Sequence, residues 1–190
     1  MSFSIHSRRG QTLVEALVAL SILTVGFVGI VTLLTRSFQL NRTTSNDTQA
    51  TYLAAEGIEV AKNLIDHDVY EQLSGVSSYS WGSCFPYSGS WYYYPIDYET
   101  TDCKSLVSPP SKSPPNTPLY FNPTTGTFST NSLGTNPTNF VRNIEVTNNG
   151  EELDVQSTVT WSDGGLSNTI TLEDHFYNWL QPPSPPSPSS

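Results

Sequence analysis

The chain has 190 residues, enough for one modest globular domain plus a membrane segment, and carries a formal charge of -9 from 17 acidic against eight basic residues. Without Arg8 and Arg9 the balance is six Lys/Arg against 17 Asp/Glu, or -11. That charge excludes a general nucleic-acid or anionic-membrane surface, which needs clustered Lys/Arg to release counterions.

Residues 1–10 are polar and end in Arg8-Arg9-Gly10, whereas residues 11–34 are almost wholly apolar, broken only by hydroxyl residues and by Glu15. Twenty-four residues of helix span about 36 Å, enough for a hydrocarbon core of about 30 Å. Arg8 and Arg9 precede the segment and Arg36 and Arg42 follow it, so charge alone orients it weakly. A carboxylate in such a helix costs about 2.5–3.5 kcal/mol at mid-membrane, less near an end, and therefore calls for a partner.

The run Gly10-Gln11-Thr12-Leu13-Val14-Glu15-Ala16-Leu17 resembles the cleavage and methylation site of type IV prepilins and type II secretion pseudopilins. The resemblance implies a membrane peptidase that cuts after Gly10 and methylates the new amine of Gln11. It also implies that Glu15 guides assembly, with Thr12 adding a hydroxyl hydrogen bond. Cleavage creates an amine with a reference pKa near 7.7–8.0, suited to pairing with a carboxylate in an apolar bundle. Glu15 can meet its own Gln11 across one helical turn or the Gln11 of a neighbour, and only the second choice sets subunit register. Gln11 stands where the family usually has Phe, and Thr32 where many major pilins have a helix-breaking Pro, with Gly26 and Gly29 nearby to soften the helix.

Other readings explain less. A secretory signal peptide has an apolar stretch of about 7–15 residues and a small-residue cleavage site after it. A plain single-pass anchor accounts for neither Gly10 nor Glu15, and no Cys stands near the start to take a lipid.

Ala50, Leu53, Ala54, Ile58, Ala61, Leu64, Ile65 and Val69 recur at three-and-four spacing, one face of a second helical half. Glu56, Glu59, Lys62, Asp66 and Glu71 take the solvated side, His67 reads as a surface histidine, and the polar run 41–49 is expected to bend or fray.

Among residues 79–98, Trp81, Phe85, Tyr87, Trp91, Tyr92, Tyr93, Tyr94 and Tyr98 crowd between Gly and Ser. Burial as core is the first expectation. The alternative is a partner-binding surface carrying Trp81, Trp91, Tyr92, Tyr93 and Tyr94. Asp97, Glu99 and Asp102 lack the spacing of a calcium loop and read as solvated acids. Cys84 and Cys103, both beyond the membrane segment, are expected to form a disulfide. No close Cys/His spacing suggests a metal site, so neither a metal nor a cofactor is expected. Residues 108–118 and 182–190 are Pro/Ser-rich and read as an exposed loop and a disordered tail.

Downstream the period changes to two. Phe140, Ile144 and Val146 alternate before Asn149-Gly150, then Leu153, Val155, Val159 and Trp161, then Leu166, Ile170 and Leu172 after Asp163-Gly164-Gly165. Two hairpin turns give a three-stranded antiparallel meander. An amphipathic helix laid on this sheet is an α+β head, the arrangement the pilin resemblance implies as well.

The expected organisation is a leader at 1–10, a transmembrane helix at 11–35, a head-side helix at 36–73, a β-rich head at 74–180 and a tail at 181–190. No phosphate loop, Gly-x-Ser-x-Gly elbow or partnered histidine suggests catalysis. The expected role is a structural, minor pilus or pseudopilus subunit, the alternative a binding module displayed at a tip or surface. Implied partners are other pilin subunits, prepilin peptidase, the assembly platform and a membrane crossed once, with no nucleic acid. The implied location is the cell membrane, leader inside and head outside, and then the pilus.

Overall fold

The computed structural model describes residues 11–102, 109–132 and 136–180. The leader at 1–10, Cys103 and the tail at 181–190 lie outside them. One helix, α1 (Gln11–Leu73), is followed by six strands: β1 (Trp91–Tyr94), β2 (Pro118–Asn122), β3 (Thr127–Ser129), β4 (Asn136–Asn148), β5 (Glu152–Asp163) and β6 (Leu166–Tyr177). The fold is α+β. Two compact units divide at Asn46/Asp47, inside the polar run where a bend was expected, yet the helix continues through it without interruption. Thr43 and Thr51 turn their hydroxyls back to the carbonyls of Gln39 and Asp47, so side chains that compete with the helical backbone in other settings are spent on the helix itself.

In the second unit the sheet is antiparallel throughout, in the order β3-β2-β4-β5-β6. On its other edge β4 pairs twice, with β2 along its first half and with β1 along its second. The expected meander is β4-β5-β6. Its second turn needs two left-handed residues, supplied by Gly164 (φ 59°) and Gly165 (φ 85°). Strands β1 to β3 are additions that the sequence reading did not place.

All eight residues of the expected helix face are buried, from Ala50 to Val69. Seven of them, all but Val69, divide between two apolar clusters. One joins Ile58, Leu64 and Ile65 to Phe85, Tyr94, Ile144, Leu153 and Val155. The other joins Ala50, Leu53 and Ala54 to Leu119, Phe140, Val159 and Trp161. Between them runs a polar seam. The buried Arg142 guanidinium donates to the Leu53 carbonyl at 3.1 Å and meets the Glu56 carboxylate at 3.2 Å. Beside it Gly57 faces Ser157 so closely that a Cβ at residue 57 would lie 2.3 Å from Ser157 Oγ and 3.2 Å from Arg142 Cδ.

The β1–β2 connection is pinned by Asp97, which is buried rather than solvated as the sequence suggested. Burial alone would push its carboxyl up. Hydrogen bonds from the Thr130 backbone and hydroxyl, the Ser129 hydroxyl and the Glu99 backbone outweigh that and hold it below the usual carboxylate range. One acid thus fastens the start of the loop to the end of β3.

Two predictions test this packing. Gly57→Ala should destabilise the folded chain by about 1–3 kcal/mol in chemical denaturation, because the added methyl overpacks a helix-to-sheet contact. Ser157→Ala alone should be neutral or stabilising, since its buried hydroxyl has no hydrogen-bond partner, and should recover part of the Gly57→Ala loss. For Asp97, whose carboxyl is lowered on folding, the stabilisation is fully present above the unfolded carboxylate range and disappears as pH falls through the folded value. Asp97→Asn should therefore cost about 2 kcal/mol at neutral pH and much less in acid, read as a flattened acid limb of stability against pH.

Candidate functional site

Helix α1 begins at Gln11, which puts Glu15 one turn on, at the i+4 position. Thr12 and Glu15 are both exposed. From Leu13 to Leu40 every large apolar side chain is exposed as well, on all sides of the helix, and the most apolar 18-residue window has none of its residues buried. A helix that is apolar all round and covered by nothing is suited to lipid or to other helices, not to water. Its hydroxyl residues are compatible with that. Ser21, Thr32 and Thr35 donate to the carbonyls of Leu17, Val28 and Val31, and Thr24 to that of Ser21, so these four hydroxyls need no solvent partner. Thr32 leaves the helix unbroken where a Pro would have interrupted it. Gly26 and Gly29 have nothing within 4 Å of a notional Cβ, so no contact within the chain requires them.

The aromatic segment divides between core and surface. Phe85 and Tyr94 are buried and meet edge to face at 4.8 Å. Tyr94 is therefore a core residue and not the surface aromatic that one reading allowed, because alternation along β1 turns it towards Ile144 and the helix. Burial pushes its phenol well above the usual range. Trp81, partly buried, donates from Nε1 to the Gly150 carbonyl at 2.9 Å and so ties its loop to the β4–β5 turn. Trp91 and Tyr87 are exposed, Tyr92 and Tyr93 half-buried. Lys112 lies 4.7 Å above the Trp91 ring and 3.9 Å above that of Tyr92, so much of this aromatic face is already taken by a cation of the same chain.

Cys84 is buried, and its backbone N–H donates to Asp68 at 2.9 Å. Asp68 itself is fully buried on the helix. Burial pushes its carboxyl up and the nearby Asp102 adds to the rise, while hydrogen bonds from Cys84 and Ser83 oppose it. His67 is half-exposed and packs edge-on against Tyr79 at 5.5 Å.

Register also assembles a group that the linear sequence concealed. Glu152 and Asp154 share one face of β5, and β6 sets Tyr177 opposite Glu152 and His175 opposite Asp154. His175 Nδ1 lies 2.7 Å from Asp154 Oδ1 and 3.1 Å from Glu152 Oε1. Hydrogen bonding to Asp154, then to Glu152, holds the imidazole above its usual pKa. Sequence reasoning missed the group because His175 stands over twenty residues from the two acids, although period-two alternation and the Gly164-Gly165 turn fix which residues must face each other.

No curated protein and no solved structure matches the chain. The family model for the prokaryotic N-terminal methylation motif matches residues 5–31, which contain Gly10, Gln11, Thr12 and Glu15. The chain therefore carries, ahead of an α+β head, the amino-terminal signature of the type IV prepilin and pseudopilin family.

Proposed function

We propose that this chain is a structural, non-catalytic subunit of a type IV pilus or pseudopilus, in the role of a minor component. On this reading prepilin peptidase cuts between Gly10 and Gln11, Gln11 is N-methylated, and residues 11–35 cross the membrane once with the head outside. The subunit is then handed to an assembly platform and joins other pilins. The observation that carries the reading is Glu15. It is the one charged residue between Gln11 and Thr35, it sits one turn beyond Gln11, and it falls within the matched motif. An acid so placed is a burden to membrane insertion and an advantage only when a cationic amine comes to meet it. Repetition of that head-to-tail contact is heterologous and produces an open filament.

A second reading, a displayed binding module, is favoured by one observation alone, the exposed rings of Tyr87 and Trp91. Copy number in filaments separates the two readings.

The decisive experiment is mass spectrometry of sheared filaments from cells with active prepilin peptidase. The expected amino terminus is Gln11, methylated. An intact Met1 terminus would overturn the reading. Glu15→Ala should leave membrane insertion unchanged or slightly better while its recovery in filaments falls well below wild type; equal recovery would show that the carboxylate does not recruit the subunit.

The same reading includes a Cys84–Cys103 disulfide. It is supported by the burial of Cys84 beside Asp68 and by the field of Asp102, the neighbour of Cys103 in sequence, at that same Asp68. Peptide mapping without reductant should yield the linked pair, and Cys103→Ser should cost about 2–4 kcal/mol of stability. Alkylation of both thiols in protein taken directly from cells would refute it.

A further inference from the structure

Glu152, Asp154 and His175 lie on the face of the sheet opposite the one that packs on α1, and neither the methylation segment nor the core uses them. One oxygen of each acid and one imidazole nitrogen lie within 4.8 Å of one another. A zinc-class ion binds imidazole nitrogen and carboxylate oxygen at about 2.0–2.2 Å, so donors at the corners of its tetrahedron are about 3.3–3.6 Å apart. The separations of 2.7 and 3.1 Å from His175 Nδ1 need to open by about 0.6–0.9 Å and 0.2–0.5 Å respectively, within the reach of side-chain rotation. The Cα positions are set by the β5–β6 ladder, so no loop has to reorganise.

One further contact comes from outside the trio. Asn149 Nδ2 donates to Asp154 Oδ2 at 3.0 Å, which leaves Oδ1 to face His175. Across the ladder Tyr177 stands opposite Glu152. A neutral donor that orients a ligating carboxylate in this way is what a metal site requires behind its ligands. Among the described residues, moreover, the only ion-pair partner of Glu152 and of Asp154 is His175 itself, so no Lys or Arg competes for the position.

We propose that Glu152, Asp154 and His175 form a three-ligand site for a divalent transition-metal ion of the zinc class, with a fourth position open to solvent. Imidazole selects against Ca²⁺ and Mg²⁺, which prefer all-oxygen shells. The bound ion links β5 to β6 near the end of the hairpin remote from the Gly164-Gly165 turn. It also offsets part of the head's negative charge.

The test is calorimetric titration of the tag-free full chain in detergent micelles with zinc chloride. One saturable site per chain is expected, and Co²⁺ in its place should give the intense visible absorption of a four-coordinate ion. His175→Gln should weaken Zn²⁺ binding at least tenfold, the scale seen even for losses behind the ligands. Asp174→Asn and His67→Gln, which change a nearby acid and the other described histidine, should leave it unchanged. Absence of a saturable site would overturn the proposal. So would binding indifferent to His175→Gln, weakened as much by Asp174→Asn, or matched by Ca²⁺, since each describes diffuse attraction to acidic surface.

Discussion

The second unit depends on how closely one helix face can approach one sheet. Gly57 leaves no room for a Cβ against the sheet, and Ser157, which it faces, is the one buried polar residue on the core face of β5. Once these two touch, the rotation of the helix is fixed, and Ala50, Leu53 and Ala54 fall to one side of the contact while Ile58, Leu64 and Ile65 fall to the other. Fully burying a large apolar side chain yields about 1.5–3 kcal/mol, so the two clusters supply the driving force. The seam between them contributes selectivity instead. A guanidinium that meets both a helix carbonyl and Glu56 has few alternative registers open to it, whereas apolar surface alone tolerates sliding.

The same helix is built for two solvents. From Ala50 onwards it has one dry face and one wet one; from Leu13 to Leu34 it is apolar on every side. No soluble arrangement of the described residues covers that surface, and the hydroxyls that interrupt it are turned inward onto the helical backbone. Between Leu13 and Leu34 the one polar side chain left without such an internal solution is the Glu15 carboxylate. In an apolar environment a single unmatched charge outweighs many interchangeable methyl contacts.

Legibility in the sequence followed the range of the interaction. The helix face from Ala50 to Val69 and the strands around Phe140, Leu153 and Ile170 were readable because side chains at fixed short spacing share a face whatever they pack against. Strands β1 to β3 were not readable: they are three to five residues long, and pairing with β4 makes them strands. The burial of Asp68 and Asp97 was hidden for a related reason. An acid enters a core only when donors converge on it, and here the donors come from Cys84 in one case and from Ser129 and Thr130 in the other. The aromatic run was partly legible, since crowding showed that some rings must be core, but the division between Tyr94 and Trp91 followed from strand alternation that nothing local announced. In the candidate site, the Gly10–Glu15 motif was legible as covalent order, whereas the trio on β5 and β6 needed the hairpin register.

The open face of the sheet limits how this head can meet anything else. Along β5 and β6 it presents Asp154, Gln156, Thr158 and Thr160 beside His175, Glu173, Thr171 and Thr169, with Thr158 and Thr171 bonded across the strands at 3.0 Å. Apart from the exposed Tyr177 at the end of the hairpin, no large apolar side chain stands on that face of β5 and β6, so hydrophobic association through it has little to remove from water. The outer edge of β6 is twelve residues long and, among the described residues, has no strand beside it, the kind of edge that invites uncontrolled pairing. Three consecutive titratable residues, Glu173, Asp174 and His175, occupy it, and a second copy would have to bring its own acids against them. Like charges along both the face and the edge therefore push self-association away from the sheet. The large exposed apolar surface of the chain lies instead on α1, from Leu13 to Leu34, where Glu15 is the one charged side chain.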